Sequence, residues 1–80
     1  MKVKYNAIIN PDFQYTVYVP FNNENVFKNS TLYTESFVRW LMANYGTFYW
    51  NQIKVSYEVG GAKFHFKDES DSNIFLLTHL

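Results

Sequence analysis

Lys54-Val55-Ser56-Tyr57-Glu58-Val59-Gly60-Gly61-Ala62-Lys63-Phe64-His65-Phe66-Lys67 is the stretch that decides the fold. Apolar and polar residues alternate on both sides of the glycine pair, the period of a half-buried strand. Gly60-Gly61 reads as a two-residue hairpin turn. It sets Val59 against Ala62, Tyr57 against Phe64 and Val55 against Phe66, every pair apolar and on one face. The opposite face pairs Glu58 with Lys63, Ser56 with His65 and Lys54 with Lys67. Two antiparallel strands over residues 52–59 and 62–67 follow, with Ile53 continuing the apolar face.

Helix signals flank this hairpin on both sides. Thr34 is the expected N-cap of the first helix, with Glu35 in its first turn and Gly46 at its end. Phe37, Leu41 and Tyr45 form its buried stripe, Val38 and Met42 widen it, and Trp40 sits on the flank. After the hairpin, Asp68-Glu69-Ser70-Asp71 supplies an N-cap and first-turn acids. Ile74 and Leu77, extended by Leu80, form the expected buried stripe of this second helix. Residues 73–79 contain strand formers too, but the acid cluster favours the helix.

The first third of the chain alternates twice. Val3, Tyr5, Ala7 and Ile9 share one face of residues 1–9, and Phe13, Tyr15, Val17 and Val19 share one face of residues 13–20. Asn10-Pro11-Asp12 is turn chemistry, and an odd-length loop keeps both apolar sets on the same side. Residues 21–33 are the long irregular segment, with Val26 and Phe27 tucked under the core. The order ββαββα predicts one α+β domain over residues 1–80. It is a circularly permuted ferredoxin-like fold: a four-stranded antiparallel sheet with two helices on one face. The spatial order is first, second, fourth, third strand, and the second and third run parallel with a right-handed crossover.

Composition narrows the function. The chain has 80 residues, 48% apolar and 21% aromatic, enough for one compact core. Seven basic and seven acidic residues cancel, so no global field attracts nucleic acid. Absence of cysteine excludes a disulfide scaffold, a thiolate zinc site and a cysteine nucleophile. The start is no signal peptide and no apolar run is long enough to span a membrane, so no membrane contact is expected.

Chemistry-bearing patterns are sparse. His65 and His79 lie on different elements and outside any metal-spacing motif. Helix capping accounts for Asp68, Glu69 and Asp71. Gly60-Gly61 is too short for a phosphate loop, and nothing sets a nucleophile beside a base. The expectation is a protein that is not an enzyme, with no metal and no cofactor.

Three surfaces remain as candidates. Phe48, Tyr49 and Trp50 form a dense aromatic run suited to protein contact. Asn22, Asn23 and Asn25 lie in the long loop, where binding residues concentrate. Strand parity places Lys2, Lys4, Lys54, Lys63 and Lys67 on the sheet face away from the helices, beside Gln14, Thr16, Tyr18 and His65, with Glu58 the one opposing acid. A nucleic-acid site on that face would use Lys2, Lys4, Tyr18, Lys54, Lys63, His65 and Lys67.

The second half also carries a resemblance. Trp40-Leu41-Met42-Ala43-Asn44-Tyr45-Gly46, then Trp50, then Phe64-His65-Phe66-Lys67-Asp68-Glu69-Ser70-Asp71 and Phe75-Leu76-Leu77 are similar to small early-type proteins of T4-like tailed phages. The likeness covers residues 37–78. Ser72 stands where those proteins commonly have Ala, and His79-Leu80 where many end in an aromatic. It implies a phage-encoded protein of the host cytoplasm that binds a host protein and inhibits or modulates it by steric block. The expected form is an anti-defence factor against a nuclease, a toxin or a CRISPR-type effector. A nucleic-acid-binding accessory protein is the alternative, and an oligomeric sponge for a signalling nucleotide a further one. A homodimer is compatible with each. No functional residue carries over, because the matched positions are core and cap positions.

Overall fold

A computed structural model describes residues 12–29 and 32–80. The expected strand over residues 1–9, its hairpin, Lys2 and Lys4 lie outside the described residues. The order is β1 (Tyr15–Pro20), β2 (Phe27–Asn29), β3 (Leu32–Tyr33), α1 (Glu35–Tyr45), a 3₁₀ turn (Tyr49–Asn51), β4 (Ile53–Glu58), β5 (Gly61–Phe66) and α2 (Glu69–His79). β1, β5 and β4 form one sheet in that order, and both outer strands run antiparallel to β5. β1 and β4 are thus parallel with β5 between them, which is the expected arrangement for these three strands. The described part is therefore α+β, with three of the expected four strands in one sheet. The segment read as irregular contributes a second, two-stranded sheet, β2 with β3.

The hairpin register differs from the sequence reading by two residues. Val55 faces Phe64, Tyr57 faces Ala62, Ser56 faces Lys63 and Glu58 faces Gly61. The turn is Val59-Gly60, and Gly60 has φ 87°, a region that glycine enters without cost. A shift of two keeps every side chain on its own face, so the core is unchanged while the cross-strand pairs are replaced.

Both helices cover the face that carries Phe64 and Phe66. From α1, Phe37 lies 5.8 Å from the Phe64 ring; from α2, Phe75 lies 5.1 Å from Phe64 and 5.2 Å from Phe66. Val17, Val19, Val26, Phe27, Leu41, Ile53 and Ala62 complete the cluster, with Val26 and Phe27 tucked in as expected. Thr34 caps α1, its Oγ1 accepting from the Phe37 N–H at 3.1 Å. Gly46 ends α1 at φ 79°. Met42 lies on the solvent side of α1, contrary to the expected stripe.

The stripe of α2 is also corrected. Ser72, Phe75 and His79 are buried, while Ile74, Leu77 and Leu80 are exposed. Phe75 has a larger apolar surface to hide than Ile74, and burying its ring also brings His79 inward. The His79 ring then stands edge-on to Trp40 at 4.6 Å and to Phe37 at 5.0 Å. Asp68 is the N-cap, with Glu69 and Asp71 in the first turn, as the acid cluster predicts. No helix among the described residues is long and apolar enough to cross a membrane.

Candidate functional site

The aromatic run after α1 becomes a tight, ordered turn. Asn51 N–H donates to Phe48 O and Gln52 N–H to Tyr49 O, each at 3.0 Å. Trp50 packs on Tyr49 at 5.0 Å and on Tyr33 at 5.8 Å. Phe48 is left 76% exposed and Trp50 37%. This turn leads directly into β4, and its Trp50 lines a groove of about 350 Å³ together with Tyr33, Ile53, Lys54, Val55 and Tyr57. The hydroxyls of the lining residues Tyr33 and Tyr57 share a hydrogen bond of 2.6 Å. Burial, and then that bond, push the Tyr33 phenol up well beyond its ordinary range, so it stays neutral.

The loop asparagines have work inside the fold. Asn23 Nδ2 and Asn25 Nδ2 both donate to His79 O, at 3.2 and 3.1 Å, and so satisfy a carbonyl at the end of α2. Asn23 Oδ1 also accepts from the Asn25 N–H at 2.9 Å, a turn-forming bond. Asn22 is exposed and separate from this capping pair.

On the opposite sheet face, register brings Thr16, His65 and Lys54 into one row and Tyr18, Lys63 and Ser56 into the next. Lys54, Lys63 and Tyr18 thus share a face, as expected. Phe13 departs from its expected place. It lies before β1, is buried apart from the main cluster, and receives the Lys54 and Lys67 ammonium groups over its ring at 5.6 and 5.3 Å. The ring quadrupole attracts both cations.

His65 was expected on that outward face but is only 5% exposed. Its Nδ1 is 2.9 Å from Thr16 Oγ1 and its Nε2 is 2.8 Å from Ser56 Oγ. Contrary to the expectation of no nucleophile beside a base, Ser56 and His65 are in contact. The signal was present: both fall on one face of adjacent strands. The ring's second nitrogen meets a threonine hydroxyl, which supplies no charge to stabilise an imidazolium. With both nitrogens engaged, His65 is a neutral bridge between β1 and β4. Among the described residues no three His, Cys, Asp or Glu side chains converge where a metal ion could sit.

Both imidazoles are held below their ordinary value of 6.5, His65 by burial and then by Lys63, His79 by burial alone. His79 Nε2 is buried with no hydrogen-bond partner. The unfolded chain therefore binds more protons than the folded one once pH falls below about 6.5. Stability should be level between about pH 7 and pH 8 and should fall towards pH 5. Asp71, raised by burial and then by Asp68, works in the opposite direction as pH falls into the carboxylate range. Thermal melts across this range check the expectation, and His79→Phe should weaken the acid sensitivity. A melting temperature that does not change down to about pH 5 would contradict it.

The exposed apolar surface extends beyond the aromatic turn. Leu77 is 88% exposed and Val59 fully exposed. The α2 face carrying Ile74, Leu77 and Leu80, which the sequence pattern places in the core, belongs to this surface. No family model, no curated protein and no solved structure matches this chain.

Proposed function

We propose that this is a small phage-encoded binding protein that inhibits or modulates a host protein by steric block, with the Phe48–Trp50 turn as the principal contact. One observation carries the reading: Phe48 is 76% exposed on a turn whose backbone is fixed. A ring already held in place loses little conformational freedom on binding, and buried aromatic anchors dominate interface energetics. Steric block needs no catalytic group, which fits the closed Thr16–His65–Ser56 bridge. The resemblance of residues 37–78 to early-type phage proteins points to an anti-defence target in the host cytoplasm. The permuted ferredoxin-like sheet belongs to the same reading: three strands have the expected order, and residues 1–9 would add the fourth beside β1.

The nucleic-acid alternative is favoured by one arrangement, the shared face of Lys54, Lys63 and Tyr18. Buried His65 is unsuited to phosphate contact. Capture from host lysate with the tagged chain, with and without nuclease, separates the two. One stoichiometric protein that survives nuclease is expected. Partners lost with nuclease, together with binding that falls steeply with salt and is abolished by Lys54→Glu with Lys63→Glu, would replace this reading by the alternative.

A further inference from the structure

Among the described residues β4 is the last strand of its sheet: β5 pairs with one side and no described strand pairs with the other. The phase of the ladders decides which backbone groups face outward. Phe21 N–H donates to Gly60 O at 3.0 Å, which continues the β1–β5 register by one pair and marks that pair as belonging to the hydrogen-bonded phase. Such pairs alternate along an antiparallel ladder. Ala62, Phe64 and Phe66 therefore turn their N–H and C=O groups towards β1, and Gly61, Lys63 and His65 turn theirs towards β4. Their partners Glu58, Ser56 and Lys54 bond inward. Ile53, Val55 and Tyr57 are left presenting theirs at the outer edge.

The groove lies along this edge. Its lining includes the consecutive residues Ile53, Lys54 and Val55. Consecutive strand residues point to opposite faces, so they line one groove only where it follows the edge itself. The six residues of β4 contain no proline and pair with β5 without a register shift, so neither proline nor a bulge blunts this edge, and Lys54 and Glu58 are its charged residues.

We propose that this edge pairs with the same edge of a second copy of the chain, antiparallel about a two-fold axis at Ser56. Outward from Ser56, β4 reads Val55 and Lys54 in one direction and Tyr57 and Glu58 in the other. Self-pairing at that centre places Lys54 of each copy opposite Glu58 of the other, and Val55 opposite Tyr57. Each favourable cross-strand pair then occurs twice. Val55 and Tyr57 are also residues whose backbone groups face out, as a bonded pair requires. The register continues to Val59, which is fully exposed and falls opposite the backbone of Ile53 of the second copy. Moving the register by two residues either way separates the charges. The outer edge of β1, in contrast, is where the strand expected over residues 1–9 would pair.

Sedimentation equilibrium of the full chain from about 1 µM to about 1 mM tests this. A concentration-dependent dimer is expected, with hydrogen exchange at the Val55 and Tyr57 amides slowing as the dimer fills. Lys54→Glu, which sets two pairs of like charges opposite each other, should weaken the dimer at least about tenfold. Adding Glu58→Lys to that variant should restore it, because the swapped charges again meet. A monomer across the whole range overturns the proposal, as does a dimer indifferent to Lys54→Glu or a folded double variant that stays weak. A monomer that instead takes up an extended foreign peptide along β4 would also overturn it. The test does not depend on any host partner.

Discussion

Phe64→Ala should lower stability by about 3–5 kcal/mol, as expected for truncating a buried ring. Phe64 is fully buried and stands at the centre of the aromatic core. Its ring lies 5.1 Å from Phe75, 5.8 Å from Phe37, 6.3 Å from Tyr33 and 6.4 Å from Phe27. These neighbours come from α2, α1, β3 and β2, so none can refill the cavity without disturbing another element. Such a loss is a large share of the total stability of a small domain. Urea denaturation reads it as a much lower midpoint, or as a chain already unfolded in buffer. Leu77→Ala is the control, since Leu77 is 88% exposed and the change should stay within about 0.5 kcal/mol. Equal losses at the two positions would contradict the orientation of α2.

Gly61→Ala should cost about 3 kcal/mol, at the upper end of the overpacking range. A Cβ at this position would stand 2.6 Å from Val19 O and 2.6 Å from the Tyr18 hydroxyl. The tyrosine can swing away, but the carbonyl belongs to β1, and moving it disturbs the β1–β5 ladder. Gly60→Ala meets no such contact and carries only the strain of a positive φ, about 1–2 kcal/mol. Thermal melts of the two variants should therefore separate, with Gly61→Ala lower. The reverse order would place the close approach at the wrong glycine.

That contrast marks how far the sequence could be read. The pair Gly60-Gly61 announced the hairpin, but the two glycines have different tasks, turn conformation and strand approach, and composition does not separate them. Period-two alternation fixed the faces of β1, β4 and β5, and a slip of two residues passes such a test unseen. Cap chemistry placed both helices, since the Thr34 hydroxyl accepts from the Phe37 N–H and the first-turn acids Glu69 and Asp71 suit the start of α2, although the Asp68 side chain itself makes no capping bond. The rotation of α2 was not legible, because Ile74-Phe75-Leu76-Leu77 offers apolar residues on every side and only the receiving rings of Phe64 and Phe66 choose among them. His65 looked exposed because its outward position was clear while its hydroxyl partners on β1 and β4 depended on tertiary pairing. The aromatic turn was legible as a cluster. Which of its rings faces solvent was not, because Trp50 is held by Tyr33 from a strand that the sequence did not announce.

The central claim is that the Phe48–Trp50 turn is the surface that meets a host protein. Its most direct measurement is nuclease-treated capture from host lysate with the wild-type chain and with Phe48→Ala. Phe48 makes little of the core, so the variant should melt like the wild type, within about 0.5 kcal/mol. The account predicts that the captured partner is lost or reduced at least about tenfold, as for an aromatic anchor. Undiminished capture by a folded Phe48→Ala chain would contradict it.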